Sequence, residues 1–339
     1  MRRIPTPSRF VNKGFMQLLV TGGAGFIGSA FIRYWLGRYP HDRITNLDAL
    51  TYAGNLANLA TVDASRYRFI HGSITDPEAV KTAMEGVDMV VHFAAESHVD
   101  RSIAGSRVFI DTNVIGTQTL IEEALRRGPQ IWRFHHVSTD EVFGALSLET
   151  EERFTETTPY NPRSPYSASK ASSDHLVRAA FHTHGLPITI SNCSNNYGPY
   201  HFPEKFIPRM IVQAMQDQHL PIYGDGKYVR DWIHVEDHVR GIEAILRKGR
   251  IGETYLLGGN AEPANIEVAR EILKQLGKPE SLLRFVEDRK GHDRRYAIDA
   301  SKAKRELGWE PLVPFSEGLA STVKWFVEHE SWWRPLLNH

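Results

Sequence analysis

The sequence predicts an α/β fold: a doubly wound parallel sheet with a smaller, interleaved α/β substrate-binding lobe. Three observations predict it. Short apolar strands alternate with amphipathic helical stretches across residues 17–195, and parallel neighbours need such helical crossovers. A glycine-rich turn joins the first strand to the first helix. Beyond residue 196 the alternation becomes irregular, with neither a repeat nor a low-complexity linker, so the second lobe is expected to be interleaved with the first rather than appended. On this reading residues 16–195, together with 231–260, form the nucleotide-binding domain. Residues 196–230 and 261–339 form the other lobe, and 1–15 an extension.

Composition sets the outer bounds. The chain has 339 residues, of which 41% are apolar, enough for a large core or two joined ones. Lys plus Arg and Asp plus Glu number 40 each, so nothing points to nucleic acid or an anionic membrane as partner. No apolar run reaches the roughly 20 residues that span a bilayer. The single cysteine, Cys193, excludes an internal disulfide; it reads as a buried small hydrophobe. With no secretory leader in view, a cytoplasmic location is expected. Residues 1–15 are basic, hold two prolines and show no periodicity, which reads as an extension or a mis-set start with Met16 as the alternative first residue.

Taken in order, Leu18, Leu19 and Val20 make a short strand, and Phe26, Ile27, Ala30, Phe31 and Tyr34 then recur with helical period. Between them Gly22, Gly25 and Gly28 fall three apart. Glycines there permit a tight turn and close backbone approach, and the helix start offers N–H groups to a pyrophosphate, as in a Rossmann-type fold. The second strand ends at Asp48, where an acid accepts hydrogen bonds from a ribose and repels a 2′-phosphate, which favours NAD over NADP. A third strand, 67–71, runs into Gly72, Ser73 and Ile74, where an adenine could rest. A fourth ends in small Ala94 and Ala95. A helix over 106–127 and a strand over 131–138 complete the alternation.

That last strand delivers Thr139, Asp140 and Glu141, and a loop-like stretch then leads to PYSASKASSDH at 165–175. Tyr166 and Lys170 sit four apart at the start of a helix that runs to about His184, so they project from one face. A neighbouring ammonium favours the phenolate, which makes Tyr166 a candidate base. Two residues at helical spacing are commonly just a half-buried face, and an acid pair can be a solvated turn. The nucleotide signature upstream is what raises both to candidates.

In the second lobe Asp225–Gly226 reads as a hairpin turn. Helices are expected over 234–247, 265–276 and 315–328, and a strand in ETYLLGG. Arg230, Arg294 and Arg295, with Lys205, Asn195, Tyr223 and Asn265, suggest a nucleotide-diphosphate pocket, because the planar guanidinium donates in pairs to phosphate. The 16 histidines include no HExxH or similar spacing, so no metal is expected.

TGGAGFIG, STDEV and YSASK together resemble the extended short-chain dehydrogenase/reductase superfamily. AAESHVDRSI, STDEVFG, SPYSASKASSD, NNYGPYHFPEK, YGDGKYVRDW and GHDRRYAID resemble, within it, the dTDP-glucose 4,6-dehydratase family, and the likeness runs from Met16 to the terminal WWRPL. Epimerases of this type usually lack the Asp–Glu pair, and GDP-mannose dehydratases match the second-lobe motifs less well. The resemblance implies NAD as cofactor, dTDP-glucose as substrate and a homodimer formed through 108–127 and 166–184. It implies that Tyr166, with Lys170, takes the 4-hydroxyl proton, Glu141 the 5-proton, and Asp140 protonates the departing 6-hydroxyl while Thr139 holds the 4-oxygen. It assigns Phe26, Ile27, Asp48, Thr51, Ser73, Ile74, Ala94, Ala95, Thr112, Tyr166, Lys170 and Asn196 to NAD. It assigns Ser97, Asn195, Lys205, Phe206, Pro221, Ile222, Tyr223, Arg230, Asn265 and the 292–296 segment (His292, Arg294, Arg295, Tyr296) to the nucleotide sugar. Ser73, Ala49 and Phe143 depart from the common Asp, Lys and Tyr. An epimerase or decarboxylase acting on a UDP-sugar is the rival that the acid pair argues against. A non-catalytic dinucleotide-binding regulator would need neither Tyr166–Lys170 nor Asp140–Glu141.

Overall fold

Apolar strands linked by helices leave two sheet faces to cover, and this chain covers both. The computed structural model describes residues 14–289 and 291–338, so the expected extension at 1–15 lies, but for its last two residues, outside them. The strands are β1 (Gln17–Thr21), β2 (Arg43–Asp48), β3 (Tyr67–His71), β4 (Met89–His92), β5 (Arg133–Thr139), β6 (Ile188–Cys193), β7 (Asn195–Tyr197), β8 (Leu220–Tyr223), β9 (Trp232–His234), β10 (Thr254–Leu257) and β11 (Leu283–Val286). Seven of them form one parallel sheet in the order β10-β6-β5-β4-β1-β2-β3. The chain winds outward from β1 to β3, then returns to lay β4 on the other side of β1. At that reversal the connections diverge and open a crevice at the carboxyl ends of the strands, where such sheets bind ligands.

The helices are α1 (Phe26–Arg38), α2 (Pro77–Ala83), α3 (Val99–Ala104), α4 (Arg107–Phe109), α5 (Thr117–Arg127), α6 (Pro165–His184), α7 (Phe206–Met215), α8 (Val235–Lys248), α9 (Asn265–Gln275), α10 (Ser301–Leu307), α11 (Phe315–Glu328) and α12 (Glu330–Trp333). Phe31, Trp35, Val239, Ile242 and Leu307 bring α1, α8 and α10 onto one face of the sheet. Val80, Leu120, Ile121, Val177 and Ala180 bring α2, α5 and α6 onto the other. Each such buried side chain contributes roughly 1.5–3 kcal/mol. The smaller lobe has its own core of Ile207, Ile211, Val268, Ile272, Leu319 and Phe326 from α7, α9 and α11. Two short parallel pairs stand apart from the large sheet, β7 with β9 and, inside this lobe, β8 with β11.

Two expectations change. The helix expected over 106–127 is interrupted by π turns over Ile110–Gly116. The wider turn lets Asn113 reach the Glu96 amide at 2.9 Å and the Ser169 hydroxyl at 2.8 Å, which ties α6 to the loop after β4. The turn at Asp225–Gly226 forms, but not as a hairpin: β8 pairs in parallel with β11, some sixty residues on, at the register Leu220↔Leu283. Local turn chemistry cannot report which strand becomes the partner.

Candidate active site

A cleft of about 390 Å³ opens at the switch point and runs from the glycine turn to the small lobe. At one end the polypeptide backbone makes the wall. Gly22 has φ +70°, and a Cβ there would lie 2.7 Å from the Ala94 backbone. A Cβ on Gly28 would lie 2.3 Å from the Gly22 carbonyl oxygen, so only glycine lets α1 pack so near the turn. No side chain caps the N-terminus of α1, which leaves its first amides for an anion. Asp48 closes this end: its two carboxylate oxygens accept the Ala24 and Leu50 amides, each at 2.8 Å. Gly25, Phe26, Ile27, Thr51, Ser73, Ile74, Ala94, Ala95, Thr112 and Asn196 line the same cavity. A cradle that a Cβ would fill, uncapped amides and a ribose-directed acid fit a dinucleotide.

Proton-transfer groups gather in the middle. Thr139 ends β5, and its hydroxyl accepts the Glu141 amide at 3.3 Å, starting the 3-10 turn Asp140–Phe143. That hydroxyl donates to Asp140 Oδ1 at 3.3 Å, and Tyr166 lines the same cavity. Asp140 is only 1% exposed, and its Oδ2 has no partner. Burial, then Glu141, pushes its carboxyl well above the usual range, the state of an acid rather than a base. Burial also raises Glu141, with Arg289 and Arg230 pulling the other way.

α6 supplies Tyr166 and Lys170. Its start is set by a capping box between Ser164 and Ser167, with Pro165 in the first turn, and it ends at Gly185 in a left-handed conformation. Lys170 Nζ donates to the Val137 carbonyl at 2.9 Å and lies 3.3 Å from His136 Nε2. Burial lowers its pKa to about 8 against the pull of Asp174. The expectation that Lys170 lowers the Tyr166 pKa is corrected here. Burial and Glu141 push the phenol well above 10, while the lysine points to the β5 backbone. One turn beyond, Asp174 sits 3.1 Å from His136 Nε2 and accepts Ser138 Oγ at 2.9 Å and Tyr160 OH at 2.7 Å.

The far end is made of side chains. Ser97, Asn195, Lys205 and Phe206 line the cavity, and Lys205 Nζ donates to the Ser97 carbonyl at 2.7 Å. Pro221, Ile222, Tyr223, Arg230, Asn265, His292, Arg294, Arg295 and Tyr296 do not. Among these, Arg230 is 5% exposed, lies over the Tyr296 ring at 4.3 Å and keeps Nη2 unpartnered, as Asn265 keeps Oδ1. The proposed phosphate cluster of arginines needs correcting. Arg294 is paired in a fork with Asp225 at 2.9 Å, and Arg295 with Glu262 at 2.7 and 3.0 Å, so their donors are already spent. Ile222 belongs to the small-lobe core, which leaves only its backbone for a ligand.

Several residues here were not assigned to the site from sequence. Glu96, Cys193, His201, Phe202, Glu204 and Trp232 line the cavity; His201 stacks on Phe26 at 4.2 Å, and burial pushes the Cys193 thiol up to about 12. Asp174 carried a signal, since 166, 170 and 174 recur every four residues on one helix face. Arg289, whose charge acts on Glu141, carried none.

Fold and site together define a dinucleotide-dependent enzyme of the extended short-chain dehydrogenase/reductase type, with an acid pair added to its Tyr–Lys pair. The sequence model described as GDP-mannose 4,6 dehydratase matches residues 19–322. The dTDP-glucose 4,6-dehydratase of Xanthomonas campestris pv. campestris is 54% identical, over 94% of this chain and 95% of its own. A crystal structure of the Streptomyces venezuelae dTDP-glucose 4,6-dehydratase with NAD bound has TM-score 0.91 at 52% identity, covering 95% of this chain and 100% of that one. A UDP-glucuronic acid 4-epimerase of Bacillus cereus shares the fold at TM-score 0.86 but only 28% identity, over 92% of this chain and 99% of its own. The chain belongs to the dTDP-glucose 4,6-dehydratase family.

Proposed function

We propose that this chain is an NAD-dependent lyase that converts dTDP-glucose into dTDP-4-keto-6-deoxyglucose. The observation that carries it is the convergence of Thr139, Asp140, Glu141 and Tyr166 on the cavity that begins at the glycine turn. Bound NAD, which the glycine turn and Asp48 would hold, would supply reversible hydride chemistry to the sugar. The rest falls to side chains. Tyr166 is assigned the proton of the 4-hydroxyl, which requires its buried phenol to ionise, and Thr139 the sugar oxygen, with Lys170 anchored on the Val137 carbonyl. The 4-ketone acidifies C5, and Glu141 removes that proton. Asp140, kept protonated by burial beside Glu141, gives its proton to the 6-hydroxyl, which leaves as water. An epimerase needs no such pair.

At the cofactor end we assign the pyrophosphate to the amides after Gly22 and the adenosine ribose to Asp48. At the other end, Arg230 Nη2 and Asn265 Oδ1, buried and unpartnered, are the groups we assign to the nucleotide. The chain is read as a cytoplasmic homodimer. Exposed Val108, Ile110 and Ile115, on α4 and the π turns, support the pairing face, since contiguous apolar side chains there are costly to leave in water.

The test is mass spectrometry of dTDP-glucose incubated with the protein in deuterated water. Loss of one water with one solvent deuterium at C5 is expected. Unchanged substrate, with NAD added, would overturn the assignment.

A further inference from the structure

We propose that Trp332, near the C-terminus, is a positioning residue for NAD: through Asn58 it fixes the peptide of the glycine turn that aims the first amides of α1 at the pyrophosphate. The proposal rests on the assignment of NAD to that turn. Ala24 stands between Gly22 and Gly28 and is fully buried. Its amide is spent on Asp48 at 2.8 Å. Its carbonyl accepts twice, from the Asn55 amide and from Asn58 Nδ2, each at 3.0 Å. That carbonyl and the Gly25 N–H belong to one peptide plane. The chain passes from it directly into Phe26 and Ile27, at a helix start that no side chain caps. Whatever holds the Ala24 carbonyl therefore sets the direction of the amides left for an anion.

Asn58 is held in its turn from the other lobe. It lies in the 3-10 turn Leu56–Leu59 and is 2% exposed. Its Oδ1 accepts Trp332 Nε1 at 2.9 Å, from 274 positions further along the chain. An indole N–H only donates and a peptide carbonyl only accepts, so the two contacts together leave the Asn58 amide one orientation. The small lobe places Trp332, with Trp325 meeting its ring edge-on at 5.1 Å. A second route reaches the same turn by packing. Tyr200, with φ +67°, lies 5.6 Å from the Trp332 ring and 4.6 Å from Trp325. The next residue, His201, stacks on Phe26 at 4.2 Å. Arg33 of α1 joins the two routes, donating to the Asn58 carbonyl and lying 4.3 Å over the Tyr200 ring. A half-buried indole finds an acceptor in most proteins. What marks this one is that the other end of its acceptor holds the nucleotide turn.

The test is exchange of bound NAD for labelled NAD in the NAD-loaded full chain, read beside the affinity for dTDP by calorimetry on the same protein. Trp332→Phe keeps an aromatic ring and removes the donor. Asn58→Asp keeps the acceptor for the indole and removes the donor to Ala24. Trp332→Phe should speed NAD exchange about tenfold, the scale of one lost buried hydrogen bond, and leave dTDP affinity unchanged. Asn58→Asp should speed it at least as much. Because the two residues act in series, adding Trp332→Phe to Asn58→Asp should accelerate exchange by no more than about a further twofold. Unchanged exchange in Trp332→Phe would overturn the proposal, as would a second acceleration of full size in the double variant. A dTDP affinity that falls in step with NAD retention would also overturn it and leave Trp332 a packing residue. Wild-type chain that takes up no NAD would overturn the cofactor assignment and this proposal with it. Trp332→Leu carries the same comparison if Trp332→Phe does not fold.

Discussion

The two ends of the cleft are built on different principles. At the nucleotide end the wall is backbone and small side chains, and its one acid, Asp48, already accepts two amides. Every buried side-chain polar atom without a partner, among the described residues, lies at or beyond Arg133, and Asp140, Asn195, Glu204, Arg230 and Asn265 are among them. The cofactor end therefore recognises its ligand mainly through uncapped backbone amides and helix-dipole charge. The other is left electrostatically open, at a cost in folding stability, for a ligand that supplies the missing partners. Stability and chemistry are divided along one cavity.

Substitutions can break that contrast, and the largest effect belongs to the open end. Glu141→Gln should lower dehydration by about 10²–10⁴-fold while C4 oxidation, read as nicotinamide absorbance, still proceeds. Full dehydration in that variant would remove Glu141 from the C5 step.

The closed end should fail differently, through fit. Gly28→Ala sets a Cβ 2.3 Å from the Gly22 carbonyl oxygen, and such overpacking costs roughly 1–3 kcal/mol. Calorimetry should show a lower melting temperature together with at least about tenfold weaker NAD binding. Unchanged values for both would mean the turn is not the rigid cradle described above.

Between the ends lies Lys170, whose charge depends on its surroundings. Burial lowers its pKa to about 8, and Asp174 pulls the other way. His136, His92, Cys193 and Tyr166 also face this corner; His136 is lowered to about 4 and so is neutral near pH 7. Removing the carboxylate in Asp174→Asn takes away the attraction, so the ammonium is lost at lower pH. The alkaline limb of the kcat profile should move down by about one pH unit. A limb that stays put would free Asp174 from this role. The smallest change expected is Arg294→Gln, which breaks an exposed pair with Asp225. It should alter stability by no more than about 0.5–1 kcal/mol and leave KM for the sugar nucleotide unchanged, whereas a raised KM would restore Arg294 to the pocket.

Much of the molecule was legible in the sequence. The strand expected at Tyr67–His71 forms with those bounds, and the helix expected to carry Tyr166 and Lys170 to about His184 runs from Pro165 to His184, because such signals are local properties. The glycine turn, Asp48, the Thr139–Glu141 run and the Tyr166–Lys170 pair line one cavity for the related reason that each spacing spans a single turn or strand end. The hairpin at Asp225–Gly226 misled because a turn sequence does not name its strand's partner.

By itself, then, the sequence determined the doubly wound sheet, the nucleotide turn and the candidate groups that line the cleft. Only the tertiary structure decided which of those groups are free and in what protonation state. Arg294 and Arg295 find carboxylates 69 and 33 residues away and are spent. Arg230 finds an aromatic ring and keeps a donor open. Asp140 becomes an acid because the folded chain excludes water around it and sets Glu141 beside it. Burial and ion pairing depend on partners far apart along the chain, and folding alone brings them together.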